Sequence, residues 1–201
     1  MTVLFLDIRD FTAFAEQAKP EEVVTLLNSF CELVVPVLLR HGGHANKFIG
    51  DGLLGVFGAP QRLTDHAERA VAAAQEIVRL VRERYRGEVG VGVGVNTGRV
   101  VAGTVGGGGR VEFTVIGDAV NTASRVEAAT RETGDDVLMT QATRAALRTD
   151  IVELAERAPV PLKGKSEPVR LWALGAEIPV GGPSGAMASV RSDQSGQNQG
   201  V

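Results

Sequence analysis

The chain opens on an apolar run, Val3-Leu4-Phe5-Leu6, that shows no polar alternation before it reaches Asp7. Residues 2–8 therefore predict a strand covered on both faces, central in a sheet. Pro20 followed by Glu21 and Glu22 marks a helix start, with acids near the positive end of its dipole. Val23, Val24, Leu26, Leu27, Phe30, Leu33, Val34, Val37 and Leu38 continue at helical spacing until His41-Gly42-Gly43, and Pro36 predicts a kink or irregular turn within that helix. Phe48-Ile49 and Leu53–Phe57 flank Gly50-Asp51-Gly52, the pattern of a hairpin whose turn projects a carboxylate. Thr64 and Asp65 offer caps for a helix to about Tyr85, with Ala67, Ala70, Val71, Ala74, Ile77, Val78 and Val81 as its apolar stripe.

From Val89 to Val95 valine alternates with glycine, a strand on which another backbone or a helix can pack closely. A second hairpin follows, with apolar arms over 100–105 and 110–116 and a tip of four glycines, Gly106 to Gly109. Arms this apolar call for a partner, so the hairpin reads as an arm laid on another chain. Gly117-Asp118 starts a helix to about Thr133, with Asp118 as its cap and Ala119, Val120, Ala123, Val126 and Ala129 toward the sheet. A strand at 137–140, a small helix to Leu147 and strands near 151–159 and 169–174 complete the pattern. The order predicts an α+β domain of ferredoxin-like plan, a mostly antiparallel sheet with helices on one face. The domain spans 1–178, and residues 179–201, rich in Gly, Ser, Gln and Asn without periodicity, read as a disordered tail.

Composition narrows the function classes. Net charge is −3 with scattered basic residues, and aromatics are 4% of the chain, which argues against a stacking platform for nucleic acid. The single cysteine, Cys31, lies in an apolar helical pattern and excludes a disulfide framework. No apolar run approaches about 20 residues, so no membrane span is expected and the cytoplasm is the expected compartment.

The candidate chemistry starts from Asp7 at the end of the first strand and Asp51 in the hairpin turn. Taken singly, Asp51 is an ordinary turn former. Two carboxylates at the ends of neighbouring buried strands can instead hold a hard divalent cation that completes its shell with substrate phosphates. Asn121 and Arg125 stand four apart on the non-core face of their helix and can reach one ligand together. By default Asp10 is a turn or cap group, Glu112 and Glu127 are solvated or paired surface charges, and His41, His44 and His66 lack metal-ligand spacing.

Four strings in order carry a family resemblance: Phe5-Leu6-Asp7-Ile8 with Phe11-Thr12, then Lys47 to Asp51, then Val115 to Glu127, then Leu162-Lys163-Gly164-Lys165. Together they resemble the catalytic domain of class III adenylyl cyclases over most of residues 2–175. The resemblance implies a homodimer with two composite sites that converts ATP to 3′,5′-cyclic AMP and pyrophosphate. Asp7 and Asp51, with the Ile8 carbonyl, would hold two Mg²⁺ or Mn²⁺ ions per site. The backbone between Ile8 and Thr12, through Arg9, Asp10, Phe11 and Thr12, would cradle phosphate. Asn121 would hold the ribose and Arg125 the α-phosphate from the other chain, with Arg99 and Lys163 or Lys165 for the outer phosphates.

Lys47 occupies the adenine-N1 position, and its partner position is Thr114 where an aspartate is commonest. A hydroxyl can donate or accept, so discrimination against guanine is softer. Thr at this position is similar to the subgroup that includes bicarbonate-responsive cyclases, which implies activation by bicarbonate. Two alternatives use the same features: a catalytically silent cyclase-like module for dimerisation and signal relay, and a palm that polymerises nucleotides. The second leaves Lys47, Asn121 and Arg125 unexplained.

Overall fold

In a computed structural model, the described residues are 1–148, 154–161 and 167–175, without the Arg110 side chain. Lys163, Lys165 and the tail from 176 lie outside them. The element order is β1 (Thr2–Ile8), α1 (Phe11–Gln17), α2 (Pro20–Arg40), β2 (His44–Ile49), β3 (Gly52–Phe57), α3 (His66–Arg84), β4 (Val91–Thr97), β5 (Val101–Gly107), β6 (Arg110–Ile116), α4 (Asp118–Thr133), β7 (Val137–Thr140), α5 (Gln141–Ala146), β8 (Leu154–Val160) and β9 (Val169–Leu174). Seven strands form one sheet in the order β2-β3-β1-β4-β7-β9-β8, and β5 and β6 form a separate two-stranded ribbon. Within the sheet β4 and β7 run parallel and the other pairs antiparallel.

The unbroken apolar pattern of β1 has the expected consequence. Leu4, Leu6 and Ile8 point into a core with α2 and α3, whereas Val3 and Phe5 point to the other face and pack with Val115 and Ala123. Helices consequently lie on both faces and not on one: α2 and α3 cover the first, α4 the second. Strands apolar on both sides require this, because an uncovered face would leave Val3, Phe5, Leu54 and Val56 in water.

Valine and glycine divide the labour on β4. Val91, Val93 and Val95 are buried toward α2 and α3. A Cβ at Gly92 would meet Thr130 Oγ1 at 2.5 Å and Glu127 Oε1 at 2.8 Å, and one at Gly94 would strike the Glu127 amide and the Ala123 carbonyl. The strand therefore lets α4 approach to backbone contact.

Several local details differ from the sequence reading. Helix α2 continues through Pro36. Gly117, and not Asp118, is the N-cap of α4, and Asp118 is its first residue. Gly106 and Gly107 pair with Val111 and Arg110, so only Gly108 and Gly109 turn the ribbon. Helix α2 also has the length and apolar composition of a membrane-crossing helix, contrary to the reading that no segment does. Its stripe of Leu26, Phe30, Val34, Val37 and Leu38 is built into the core with α3.

Gly94→Ala should be among the most damaging single-methyl additions in the chain. The added carbon meets backbone atoms that cannot rotate away, so a loss of about 1–3 kcal/mol or more is expected in urea unfolding. Gly103→Ala, with open space around it, serves as the neutral control.

Candidate active site

The two carboxylates singled out above are brought together. Leu6 pairs with Leu53 across β1 and β3, and Gly50 and Asp51 turn the β2–β3 hairpin with Gly50 at φ 64°. Asp51 thus stands beside Asp7, close enough for their side chains to share a hydrogen bond. Burial, followed by that hydrogen bond and the facing charge of Asp51, pushes the Asp7 carboxyl up to about 7. The Arg131 guanidinium pulls the other way and does not outweigh them.

Glu127, read as a surface charge, and Arg131, which the sequence does not single out, complete the cluster. Arg131 donates through Nη2 to Asp7 Oδ2 at 2.8 Å and through Nη1 to Glu127 Oε1 at 2.9 Å. Glu127 is no surface charge: it is 4% exposed, and burial pushes its carboxyl up against the lowering by Arg131 and Arg9. The signal available in the sequence was the i, i+4 spacing of Glu127 and Arg131 together with the glycines of β4 that bring this helix face down.

The phosphate cradle narrows. The Arg9 amide is spent on the Gly90 carbonyl at 3.0 Å, and its guanidinium turns to the Asp135 carbonyl at 2.7 Å and to Asp136 at 3.5 Å. Arg9 is thus withdrawn from the expected set. Asp10, with φ 56°, occupies the N-cap position of α1 without a capping bond from its side chain, and the first-turn amides of Phe11 and Thr12 remain as donors without intrahelical partners.

Asn121 and Arg125 do not meet Asp7 within one chain. Arg125 and Glu127 are two residues apart, about 200° around a helix, so the face that carries Glu127 and Arg131 to Asp7 turns Asn121 and Arg125 away. Asn121 is exposed and Arg125 half-buried. Arg99 follows the far end of β4: Gly92, opposite Asp7, and Thr97 are five positions apart, about 17 Å of strand. There Arg99 lines an open cavity of about 430 Å³ with Asn96, Asp118, Thr122 and Gln141.

Lys47 in β2 and Thr114 in β6 lie where the ribbon touches the sheet edge. Asn46 Nδ2 donates to the Phe113 carbonyl at 3.0 Å, His44 meets the Phe113 ring edge-on at 5.4 Å, and Lys47 Nζ stands 3.3 Å from Glu112 Oε1. Glu112 is thus a paired charge. On the ribbon, Val101, Val105, Val111 and Ile116 are more than half exposed, the apolar surface expected of an arm.

Among the described residues no group of three or more His, Cys, Asp or Glu side chains forms a metal cage. Asp7 and Asp51 are instead an adjacent pair whose mutual repulsion calls for positive charge. That donor set suits a cation which draws its other ligands from phosphate and water.

A mostly antiparallel sheet of this order, with paired carboxylates at the β1 terminus and the neighbouring turn, matches the solved structures of nucleotide cyclase catalytic domains. The chain belongs to the adenylate and guanylate cyclase catalytic domain family, whose model matches residues 1–175. It is 37% identical over 183 residues to the terminal-differentiation-specific adenylate cyclase of Dictyostelium discoideum, covering 86% of this chain and 8% of that protein. An uncharacterised Mycobacterium tuberculosis protein is 42% identical over 173 residues, covering 85% of this chain and 32% of that protein. The chain thus spans about a third or less of the curated relatives it matches. Among solved structures it is similar to the adenylyl cyclase CyaB of P. aeruginosa, with TM-score 0.76, 29% identity and coverage of 87% and 92% of the two chains. It is equally similar to the guanylate cyclase domain of RhGC from Catenaria anguillulae in complex with GTP, with TM-score 0.77, 28% identity and coverage of 87% and 94%.

The raised Asp7 carboxyl has a pH signature. Because the folded group holds its proton more tightly than an unfolded aspartate, its contribution to stability is present below about pH 4 and lost as pH rises to about 7. In EDTA, thermal unfolding should therefore show stability falling across that window, and Asp7→Asn should flatten the fall.

Proposed function

We propose that this domain is an adenylyl cyclase, a phosphorus–oxygen lyase that converts cytoplasmic ATP to 3′,5′-cyclic AMP and pyrophosphate as a homodimer. The observation that carries the reading is the side-by-side placement of Asp7 and Asp51. With the Ile8 carbonyl, these residues would hold two Mg²⁺ or Mn²⁺ ions. When bound, the ions supply activation of the ribose 3′-OH and neutralise charge on the triphosphate. The Phe11 and Thr12 amides receive phosphate oxygens at the start of α1. Asn121 orients the ribose, and Arg125 meets the charge that develops at the α-phosphate. Arg99 and a lysine of the 163–165 segment serve the outer phosphates. Lys47 donates to adenine N1, and Thr114 meets the N6 amino group. Bicarbonate activation goes with Thr114 in this reading.

The opposite-facing placement of Asn121 and Arg125 on α4 supports a composite site. A second chain supplies them, and the exposed valines of the ribbon give it an apolar surface to bind. A second reading, appreciable GTP use, rests on Glu112: a carboxylate beside Lys47 can accept from guanine N1–H. Assaying ATP and GTP with Mn²⁺ and Mg²⁺, with product identification, separates these readings from a silent module, which turns over neither.

Asp7→Ala and Arg125→Ala homodimers should each be nearly inactive. Mixed, about half the dimers are hybrid and each hybrid has one intact site, so activity should return to roughly one quarter of wild type. No recovery despite demonstrated subunit exchange would place the whole site in one chain.

Lys47→Glu should cut ATP turnover, and with Thr114→Cys it should raise the GTP:ATP ratio, because a mismatched buried polar edge costs about 1–3 kcal/mol. An unchanged ratio would remove both residues from the base pocket.

A further inference from the structure

Arg131 holds two carboxylates of unequal standing. Glu127 is enclosed, its side chain 5% exposed beneath α4, whereas the Asp7 side chain is 22% exposed at the strand end beside Asp51. Parting a guanidinium from a buried carboxylate leaves an uncompensated charge, whereas the more exposed Asp7 can be re-solvated or taken up by another cation. Of the two bonds, the one to Asp7 is the exchangeable one. The fork geometry of arginine suits this, since Nη1 and Nη2 serve different carboxylates and one can be released while the other anchors the side chain. The charged groups around the fork are Asp7, Asp51 and Glu127, with Arg9 close enough to Glu127 for its charge to be felt there.

We propose that Arg131 is a positioning residue for the cation site: it occupies Asp7 when no divalent ion is bound and yields it on cation binding while Glu127 retains the guanidinium. The Glu127–Arg131 pair on α4 thereby sets the cation affinity of a site on β1. This inference rests on the reading of Asp7 as a metal ligand. It adds to that reading a competing counter-ion within the same chain.

Calorimetric titration of Mn²⁺ into the nucleotide-free protein tests it without reference to turnover. Arg131→Gln should bind Mn²⁺ about ten-fold more tightly, the order of one charge-assisted hydrogen bond removed from competition. Glu127→Gln should bind several-fold more weakly, because Arg131 then has Asp7 as its remaining carboxylate. The double variant Arg131→Gln/Glu127→Gln leaves no buried unpaired charge, so it avoids that folding penalty, and it should bind more tightly than Glu127→Gln. Nitrogen-15 guanidinium resonances of Arg131 should move on Mg²⁺ addition, whereas those of Arg157, paired with Asp135 at 2.6 and 2.8 Å, should stay. Unchanged affinity in both Arg131→Gln and the double variant, or a guanidinium that ignores Mg²⁺, overturns the proposal. Asp7→Asn should lose Mn²⁺ binding; retained binding there removes Asp7 as a ligand, and the proposal falls for that separate reason.

Discussion

Everything at the carboxylate cluster depends on how closely α4 lies against β4. With no side chain at Gly92 or Gly94, the helix backbone at Ala123 and Glu127 reaches the strand itself. That approach seals Glu127 in the interlayer and sets Arg131 over the end of β1, where Asp7 faces Gly92 across the ladder. A larger residue on this face would lift the helix, open the layer that holds Val126 and Ala129, and carry the guanidinium away from Asp7. Packing and electrostatics are therefore one constraint here. The valines on the opposite side of the same strand fix its depth in the first core, so α4 has a rigid surface to settle on.

The same layering explains why two differently directed polar faces can share one helix. Successive residues advance about 100° around α4, so the positions facing β4 and β1 exclude Asn121 and Arg125 from that side. One helix thus presents Glu127 and Arg131 to its own chain's carboxylates and Asn121 and Arg125 outward. For the proposed composite site this is economical, since a shift of α4 would change the Asp7 side and the outward side together.

Much of the fold was legible because it follows from patterns with a direct physical cause. The both-faces apolar run of β1, the hairpin turn within Gly50-Asp51-Gly52 and the Val-Gly alternation of β4 each constrain the backbone strongly. Layering was harder. A one-faced arrangement of helices was inferred from element order, whereas burial of Val3, Phe5 and Val56 requires cover on the second face as well. Caps were less legible still: Asp118 has the chemistry of a cap, yet Gly117, at φ 156°, takes the position and leaves the carboxylate within the first turn.

In the candidate site, what could be read were groups whose spacing is local, such as Asn121 with Arg125, or whose string is distinctive, such as Lys47 to Asp51. Arg9 shows the limit of that method. Its place between Ile8 and Asp10 puts it in the phosphate segment by sequence, but its amide completes the β1–β4 edge at Gly90, and its side chain is drawn to the loop that ends α4. Glu127 shows the converse, since a charged residue on an amphipathic helix reads as solvated until the depth of the helix is known. Depth is a property of the opposing strand, and it is written there in glycines. The pairing of a helix glutamate with glycines in a distant strand is therefore the kind of relation that sequence spacing along one element does not carry and that three-dimensional packing supplies.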